Sequence, residues 1–228
     1  MPFPNWAVVG DLMKFDRLDA LPSAVPVYSI GWRIVDDPDM WSRRFLGYKA
    51  ESAKAHFNGG AWCMKLGIVN ILDDQSWAPE ETGLISALSS GDTEPSKSHI
   101  LFRTGKWLAV QLGLEFLTPL LTKSSHQSLH TLGGAAERDA AVEGKYACQK
   151  FEGLKNVIIV DDLVTRGATF KEVARAVHAA SGIQSFAALA LGKNENRSYA
   201  ERCGAELNND HVSEKMESLW RSAEERFK

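Results

Sequence analysis

The segment from Val157 to Thr169 constrains the fold of this chain more than any other. It opens with Val157-Ile158-Ile159-Val160, an apolar run rich in β-branched side chains and too short for a helix, which predicts a buried strand. Three features follow that run in order: the acids Asp161 and Asp162, a turn over residues 163–169, and an amphipathic helical pattern from Phe170 to Ala180. A strand, a tight turn and a helix amino terminus in this order are typical of a layered α/β protein.

The same segment carries two kinds of binding group side by side. Unpaired N–H groups at a helix amino terminus, together with the helix dipole, favour a phosphate in the turn. Carboxylates cannot hold a phosphate, but they accept hydrogen bonds from the vicinal hydroxyls of a sugar. The sequence therefore predicts a ribose 5-phosphate site, with Asp161 and Asp162 at the sugar. The predicted phosphate loop consists of Thr165, Arg166, Gly167, Ala168 and Thr169.

This pattern resembles the phosphoribosyl pyrophosphate (PRPP) motif of type I phosphoribosyltransferases, in which two acids and Thr-x-Gly-x-Thr follow an apolar strand. The resemblance implies that Asp161 and Asp162 hold the 2′ and 3′ hydroxyls of the ribose, and that the loop wraps the 5′-phosphate. It also implies a Mg²⁺ cofactor, reached by the two acids indirectly through ribose hydroxyls or water. Arg166 stands where a small residue is common in the family.

Strand and helix patterns alternate from Thr82 onward, which predicts a Rossmann-like parallel sheet flanked by helices, with ligands at the carboxyl ends of the strands. The predicted strands besides the motif strand are Leu84–Leu88, Leu114–Leu121 and Ile183–Leu191, and a helix opens at Glu94-Pro95. Over roughly residues 82–193 this order resembles the type I phosphoribosyltransferase fold. We therefore expect a phosphoribosyltransferase-like core over residues 82–205.

The two ends of the chain differ from this core. Residues 1–81 hold five of the seven tryptophans and are interpreted as a small helical and extended hood. In this region Asp37-Pro38 predicts a helix start. A second helical stretch, from about Glu51 to Leu72, is expected to be interrupted or bent near Gly59-Gly60. Residues 206–228 form a C-terminal region whose apolar stripe predicts an amphipathic helix. That stripe fits docking on the core or on a partner, and the sequence does not choose between them.

The chain is most similar to the ComF-like branch of the family. Phe45-Leu46-Gly47-Tyr48-Lys49 resembles the apolar-plus-lysine stretch that precedes the core in that branch. His126-Gln127-Ser128-Leu129 and Arg138 are similar to its mobile-loop residues. The zinc ribbon of the branch is absent, because no cysteine pair is present to build it. Lys97-Ser98-His99 stands near where the family has an Arg-Gly-Phe-Asn type sequence.

Further candidates come from the predicted loops. Ser86 to Asp92, with Ser86 and Ser89, offers backbone N–H groups for a pyrophosphate, or is a solvated turn. Residues 122–150 are long enough for a lid, a small hairpin or a partner site. The candidate cations for this pyrophosphate are Lys123, Lys145 and Arg138, the last of which we assign to the catalytic group. Lys193 is expected after the last strand, near an acceptor base, or as a surface lysine.

Composition narrows the function classes. The formal net charge of -3 argues against a general nucleic-acid surface, although a local basic patch around Lys123, Arg138 and Lys145 stays open. Three separated cysteines suggest a reducing compartment, and no signal-peptide or membrane-span pattern occurs, so we expect a cytoplasmic protein. His126 and His130 lie four residues apart, but in a polar loop without an acidic third ligand close by, and no GxSxG elbow occurs, so a metallohydrolase or serine hydrolase is not expected.

Three functions remain from the sequence. The first is a Mg²⁺-dependent phosphoribosyltransferase acting on PRPP or a nucleotide 5′-phosphate. The second is a phosphoribosyltransferase fold kept as a nucleotide sensor or effector subunit, as a homodimer or in a bacterial hetero-complex such as a retron-type antiphage system. The third is single-stranded nucleic acid binding, which requires a basic groove. The acceptor base is not readable from the sequence.

Overall fold

A seven-stranded sheet forms the centre of the protein in a computed structural model that describes residues 6–15, 25–89, 91–124, 140–207 and 211–227. Its strands are β1 (Trp6–Val9), β2 (Leu12–Phe15), β3 (Val27–Ile34), β4 (Thr82–Ser86), β5 (Glu115–Phe116), β8 (Asn156–Val164) and β9 (Ser185–Glu195). They lie in the order β1-β2-β3-β9-β8-β4-β5. Two further strands, β6 (Leu121–Lys123) and β7 (Tyr146–Cys148), pair with each other in an antiparallel ladder.

The sheet is mostly parallel. Strands β3, β9, β8, β4 and β5 run parallel to one another, whereas β1 and β2 form an antiparallel hairpin on the edge beside β3. The prediction of an α/β protein with a mostly parallel sheet is confirmed. Residues 27–34, from the region interpreted as a hood, form an inner strand of this sheet.

Helices cover both faces of the sheet. They are α1 (Met40–Lys49), α2 (Lys54–Gln75), α3 (Ile100–Leu112), α4 (Ala168–Ser181), α5 (Arg197–Arg202) and α6 (Glu214–Arg226). The buried side chains of β8 alternate between two cores, as expected for a strand covered on both sides. Val157 and Ile159 pack with α4, and Ile158 and Val160 pack with α1, α2, α3 and α6.

Two helices begin later than predicted. The first starts at Met40, because the Asp39 side chain accepts a hydrogen bond of 2.7 Å from the N–H of Ser42 and acts as the N-cap in place of Asp37. The third starts at Ile100, with His99 as its N-cap, six residues after Glu94. An acid-proline pair marks a possible start, but a side chain that reaches the first free N–H groups determines the actual one.

The two adjacent glycines lie within a continuous α2, so the predicted alternative of an interrupted helix is wrong. They are instead points of close approach. A Cβ atom on Gly59 would lie 2.7 Å from the Trp220 ring, and one on Gly60 would lie 2.3 Å from the Tyr48 ring. Glycine is needed here because larger residues would separate α2 from its neighbours.

Gly60→Ala should therefore lower the free energy of unfolding by about 1–3 kcal/mol, the usual effect of overpacking a filled core. The Tyr48 ring has little freedom to move away, because its hydroxyl lies 2.7 Å from Thr104 Oγ1. Chemical denaturation measures this change. Gly91→Ala is the matched control, because nothing lies within 4 Å of its Cβ position, and equal effects of the two changes would contradict the interpretation.

The C-terminal helix docks on the core, which settles the choice that the sequence left open. Met216, Trp220 and Ala223 are buried against α2. Arg44 of α1 forms two hydrogen bonds to the Glu224 carboxylate, at 2.9 and 2.7 Å, so α6 also holds α1. Among the described helices, we find none with the length and apolar character that crossing a membrane requires.

Candidate functional site

The acid pair lies on a part of β8 that extends beyond its neighbour β4. Pairing between β4 and β8 ends at Ser86 and Val160, whereas pairing between β8 and β9 continues through Val164. Asp161 and Asp162 thus lie inside the strand, and the prediction that the strand ends at Val160 is wrong. Because only β9 still flanks this extension, its other edge opens toward the loop after β4.

The two carboxylates have different surroundings. Asp162 is buried, and its Oδ2 lies 2.9 Å from the Nζ of Lys49, at the end of α1. Asp161 is partly buried, and its Oδ1 accepts a hydrogen bond of 2.8 Å from the N–H of Asp162. Asp162 therefore forms an ion pair with Lys49, whereas Asp161 accepts a hydrogen bond from the backbone.

Burial raises the pKa of Asp161 above its ordinary value, and the adjacent charge of Asp162 raises it further. The ammonium group of Lys49 acts in the opposite direction and favours ionisation of Asp161. Although burial alone lowers the pKa of Lys49, its contact with Asp162 raises it above its ordinary value. Lys49 is therefore charged at neutral pH and keeps Asp161 closer to ionisation.

The predicted phosphate loop joins β8 to α4 directly. Gly167 is the N-cap of α4, and its φ of 84° and ψ of 14° place it in the left-handed region that glycine adopts without strain. It has no side chain to cap the helix, and the first turn carries no acidic residue. Ala168 and Thr169 belong to the first helical turn. Because their N–H groups lie at the positive end of the helix dipole, an anion is favoured here.

The other two loop residues border this helix end. Thr165 is exposed, and its hydroxyl oxygen accepts a hydrogen bond of 3.3 Å from the Asn194 side chain of β9. Arg166 is partly buried. The structure therefore brings all five predicted loop residues together immediately after the acid pair.

Ser86 is buried beneath α3, and both its hydroxyl and its N–H form hydrogen bonds within the protein. Its hydroxyl donates a 2.9 Å hydrogen bond to the carbonyl oxygen of Leu101, and its N–H donates one of 2.8 Å to Thr118 Oγ1. Ser89 lies in the loop after β4, where its carbonyl oxygen accepts a hydrogen bond from the Lys123 ammonium. Of the two residues predicted to bind pyrophosphate, Ser89 lies in the loop after β4, whereas Ser86 is the last residue of β4.

Lys123 is buried, and its charge interacts with that of Asp161. Burial lowers its pKa, while the negative charges of Asp92 and Asp161 partly offset that effect. Its Nζ lies 5.6 Å from the centre of the Tyr146 ring. Burial raises the pKa of Tyr146, and the negative charge of Asp161 raises it further, so the Asp161 charge also acts on β7.

The remaining predicted cations are placed differently. Lys193 lies inside β9 and not after it, and it is buried, with Nζ 3.3 Å from Glu195 Oε2. Lys145 is partly exposed just before β7. Arg138 and His126-Gln127-Ser128-Leu129 fall outside the described residues.

The C-terminal part of the predicted lid segment is hydrogen-bonded to α4. Glu172 of α4 is buried and accepts a 2.7 Å hydrogen bond from the N–H of Gly144. Arg175 of the same helix donates to the carbonyl oxygen of Tyr146 at 2.7 Å. Together with the β6–β7 pairing, which fits the small-hairpin alternative, these contacts fix where residues 140–148 stand relative to the phosphate loop.

The sequence did not predict the contact between Lys49 and Asp162. The Phe45–Lys49 resemblance singled out this lysine, but nothing in the sequence relates it to an acid 113 residues later. Three contacts of α1 hold it in place: Arg44 with Glu224, Tyr48 with Thr104, and the Ser42 hydroxyl with the Ile34 N–H.

Replacing Lys49 with methionine should shift the pH dependence of ribose 5-phosphate binding to higher pH. Without this ammonium group, the pKa of Asp161 rises further, so a smaller fraction of Asp161 is ionised at neutral pH to accept a hydrogen bond from a sugar hydroxyl. We expect about a 10-fold loss of affinity near pH 7, or about 1.4 kcal/mol, with recovery as the pH is raised.

Titration calorimetry across a pH series measures this shift. The ligand phosphate titrates equally in both proteins, so a difference between their curves reports the protein alone. Lys54→Met, at an exposed position at the start of α2, is the matched control. Tighter binding by Lys49→Met at neutral pH would instead show that Lys49 competes with the sugar for Asp162.

No protein-family model and no curated protein matches this chain.

Proposed function

We propose that this protein binds the ribose 5-phosphate part of PRPP or of a nucleotide 5′-phosphate, and transfers the phosphoribosyl group to or from a nitrogenous base with Mg²⁺. We further propose that β4, α3, β5, β8, α4 and β9 form a type I phosphoribosyltransferase core. One observation carries the proposal. Two adjacent carboxylates on an open strand extension are followed by a glycine N-cap in the left-handed region and an uncapped helix amino terminus.

Each part of this arrangement suits one end of the ligand. The N–H groups of Ala168 and Thr169 favour the doubly charged phosphate, and Thr165 adds a hydroxyl. The carboxylates are three to four residues before Thr165, so they lie next to the sugar when the phosphate occupies the turn. A pentose hydroxyl pair then donates to two acceptors whose positions β9 fixes.

Displacement at the anomeric carbon develops positive charge on the ribose ring and negative charge on the leaving pyrophosphate. The Asp161 and Asp162 carboxylates favour the first charge. The candidate cations for the second are the ammonium group of Lys49, 2.9 Å from Asp162, and that of Lys123, whose pKa responds to the charge of Asp161. The loop after β4, with Ser89, adjoins the open edge of β8 where the leaving group would pass.

A Mg²⁺ ion fits this site only through its ligand. Among the described residues, no cluster of three or more acidic, histidine or cysteine side chains gathers to hold a metal. Mg²⁺ commonly keeps several waters and binds through one or two carboxylates plus substrate phosphates. The ligand oxygens would hold the ion, Asp161 and Asp162 would reach it indirectly through ribose hydroxyls or water, and it would neutralise charge on the pyrophosphate.

The test is pyrophosphate release from PRPP in the presence of Mg²⁺ and a panel of purine, pyrimidine and nicotinic bases. The proposal expects release with at least one base, dependent on both the base and Mg²⁺. The Asp161→Asn, Asp162→Asn double variant should not release it, and the Asp36→Asn, Asp37→Asn variant should. Release that persists without Asp161 and Asp162 would contradict the site.

A second function, a nucleotide sensor that binds without turnover, rests on two placements. Ser86 has both its hydroxyl and its N–H engaged, and Lys193 is buried in an ion pair with Glu195. Two of the groups predicted to serve the pyrophosphate and the acceptor are thus already occupied. Binding of PRPP without release with any base would favour this sensor.

A further inference from the structure

Arg33 lies near the carboxyl end of β3, which is separated from the acid pair on β8 by β9 alone. It pairs in register with Asn194 of β9, two residues after Gly192, which pairs with Leu163 of β8. A Cβ atom on Gly192 would lie 3.0 Å from the Cβ of Arg33 and 3.0 Å from the Leu163 side chain. The side chain of Arg33 therefore starts beside the residue that follows Asp162.

Arg33 is on the same face of the sheet as Lys49. The Phe45 ring of α1 would lie 2.9 Å from the same Cβ atom on Gly192, so this position faces α1. Lys49 is the last residue of that helix, and its ammonium group contacts Asp162. Besides burial, the positive charge of Arg33 lowers the pKa of Lys49, so the two cations are close enough to interact. The guanidinium of Arg33 thus borders the candidate site.

This guanidinium has no anionic partner within the described part of the chain. Other arginines pair with carboxylates, such as Arg44 with Glu224 and Arg197 with Asp37. Arg33 has no such ion pair, and its Nε is buried without a hydrogen-bond acceptor. A buried donor that lacks an acceptor costs free energy, so native proteins normally provide one. A donor of this kind beside a binding site is typical of a group that a ligand anion satisfies.

The neighbour of Arg33 in register carries a second polar atom of this kind. The Asn194 amide donates to the Thr165 hydroxyl of the phosphate loop at 3.3 Å, whereas its buried Oδ1 has no hydrogen-bond donor among the described residues. Thr165, Asn194 and Arg33 therefore form a row from the phosphate loop across β9 to β3. A ligand that satisfies this row presents an anionic acceptor to the guanidinium and an N–H group to the amide oxygen.

The order of the strands relates this row to the incoming base. The loop after β4, proposed above for the leaving pyrophosphate, lies on one side of β8, and β9 and β3 lie on the other. In a displacement the nucleophile approaches the anomeric carbon opposite to the leaving group. An acceptor base would therefore enter from the side of Arg33.

We propose that the acceptor is a nitrogenous base that bears a carboxylate, which the Arg33 guanidinium binds while an N–H group of the base donates to Asn194 Oδ1. This inference rests on the proposed function and names the class of its acceptor. A planar guanidinium suits a carboxylate, because two parallel N–H donors hold both oxygens and fix the orientation of the ring.

Titration calorimetry with matched pairs of bases tests this proposal. Nicotinate is compared with nicotinamide, and orotate with uracil, both with and without saturating ribose 5-phosphate. We expect the acid of at least one pair to bind at least about 10-fold more tightly than its uncharged counterpart. Arg33→Met should reduce this preference to less than about twofold. Arg43→Met removes the same charge at an exposed position of α1 and should keep the preference.

The comparison of acids with uncharged bases on the wild-type protein does not depend on how a variant folds. Equal affinities within both pairs would overturn the proposal, as would an acid preference that persists in Arg33→Met. Ribose 5-phosphate is titrated separately. If it does not bind, the proposed function fails, whereas an acid preference that Arg33→Met removes would still show that Arg33 binds carboxylates.

Discussion

Replacing both Asp161 and Asp162 with asparagine is expected to lower the affinity for ribose 5-phosphate by at least about 100-fold. Each carboxylate accepts a charge-assisted hydrogen bond from a sugar hydroxyl, and such bonds are worth roughly 1.5–3 kcal/mol each. Two of them correspond to a factor of 100 or more. Asparagine keeps nearly the same volume, so the loss reports the charge and not a cavity.

Titration calorimetry at neutral pH measures this loss, and the Asp36→Asn, Asp37→Asn variant is the matched control. That second adjacent acid pair is exposed in the loop after β3, where Asp37 is paired with Arg197. Its replacement should change affinity less than about twofold, because surface charges contribute little. Similar losses in both variants would mean that net charge, and not the acid pair on β8, governs binding.

Replacing Gly167 with valine is expected to weaken phosphate binding by about 10-fold to 100-fold. A β-branched residue at a φ of 84° is strained by roughly 1–2 kcal/mol, so the turn relaxes toward negative φ and the first amides of α4 change direction. A side chain at this position also restricts how closely an anion approaches the backbone. Affinity for ribose 5-phosphate, measured by calorimetry, should fall more than that for ribose alone.

The same helix provides the control. Gly182, at the other end of α4, has a φ of 76°, so Gly182→Val introduces comparable strain far from the phosphate loop. Both variants should lose a similar amount of stability, and only Gly167→Val should lose affinity. Equal affinity losses would show that strain in α4 as a whole, and not the geometry of its amino terminus, determines phosphate binding.

Local patterns predicted the elements around the site. The β-branched run of 157–160 formed a buried strand, and the apolar spacing that begins at Phe170 formed a helix packed on one face of the sheet. These predictions succeed because the spacing of apolar residues in strands and helices can be recognised within a short stretch of sequence. The apolar stripe of α6 was visible for the same reason, although the sequence did not choose between the core and a partner as the surface that it covers.

Features that depend on distant residues were not predicted. The strand continues through Asp161 and Asp162 because β9 keeps pairing with it after β4 has ended, and register between strands is not a local signal. The contact between Lys49 and Asp162 joins α1 to β8 across the sheet, and Arg44 with Glu224 joins residues 180 apart. In α2, Gly59 and Gly60 were interpreted as a bend, because close approach of Trp220 and Tyr48 depends on tertiary packing.

The central claim is tested most directly by titrating the wild-type protein with ribose 5-phosphate, ribose and inorganic phosphate under the same conditions. If the acids hold the sugar while the adjoining helix end holds its phosphate, one molecule carrying both groups should bind at least about 100-fold more tightly than either fragment. Equal affinity for ribose 5-phosphate and inorganic phosphate would contradict the account, because the acid pair would then contribute nothing to recognition.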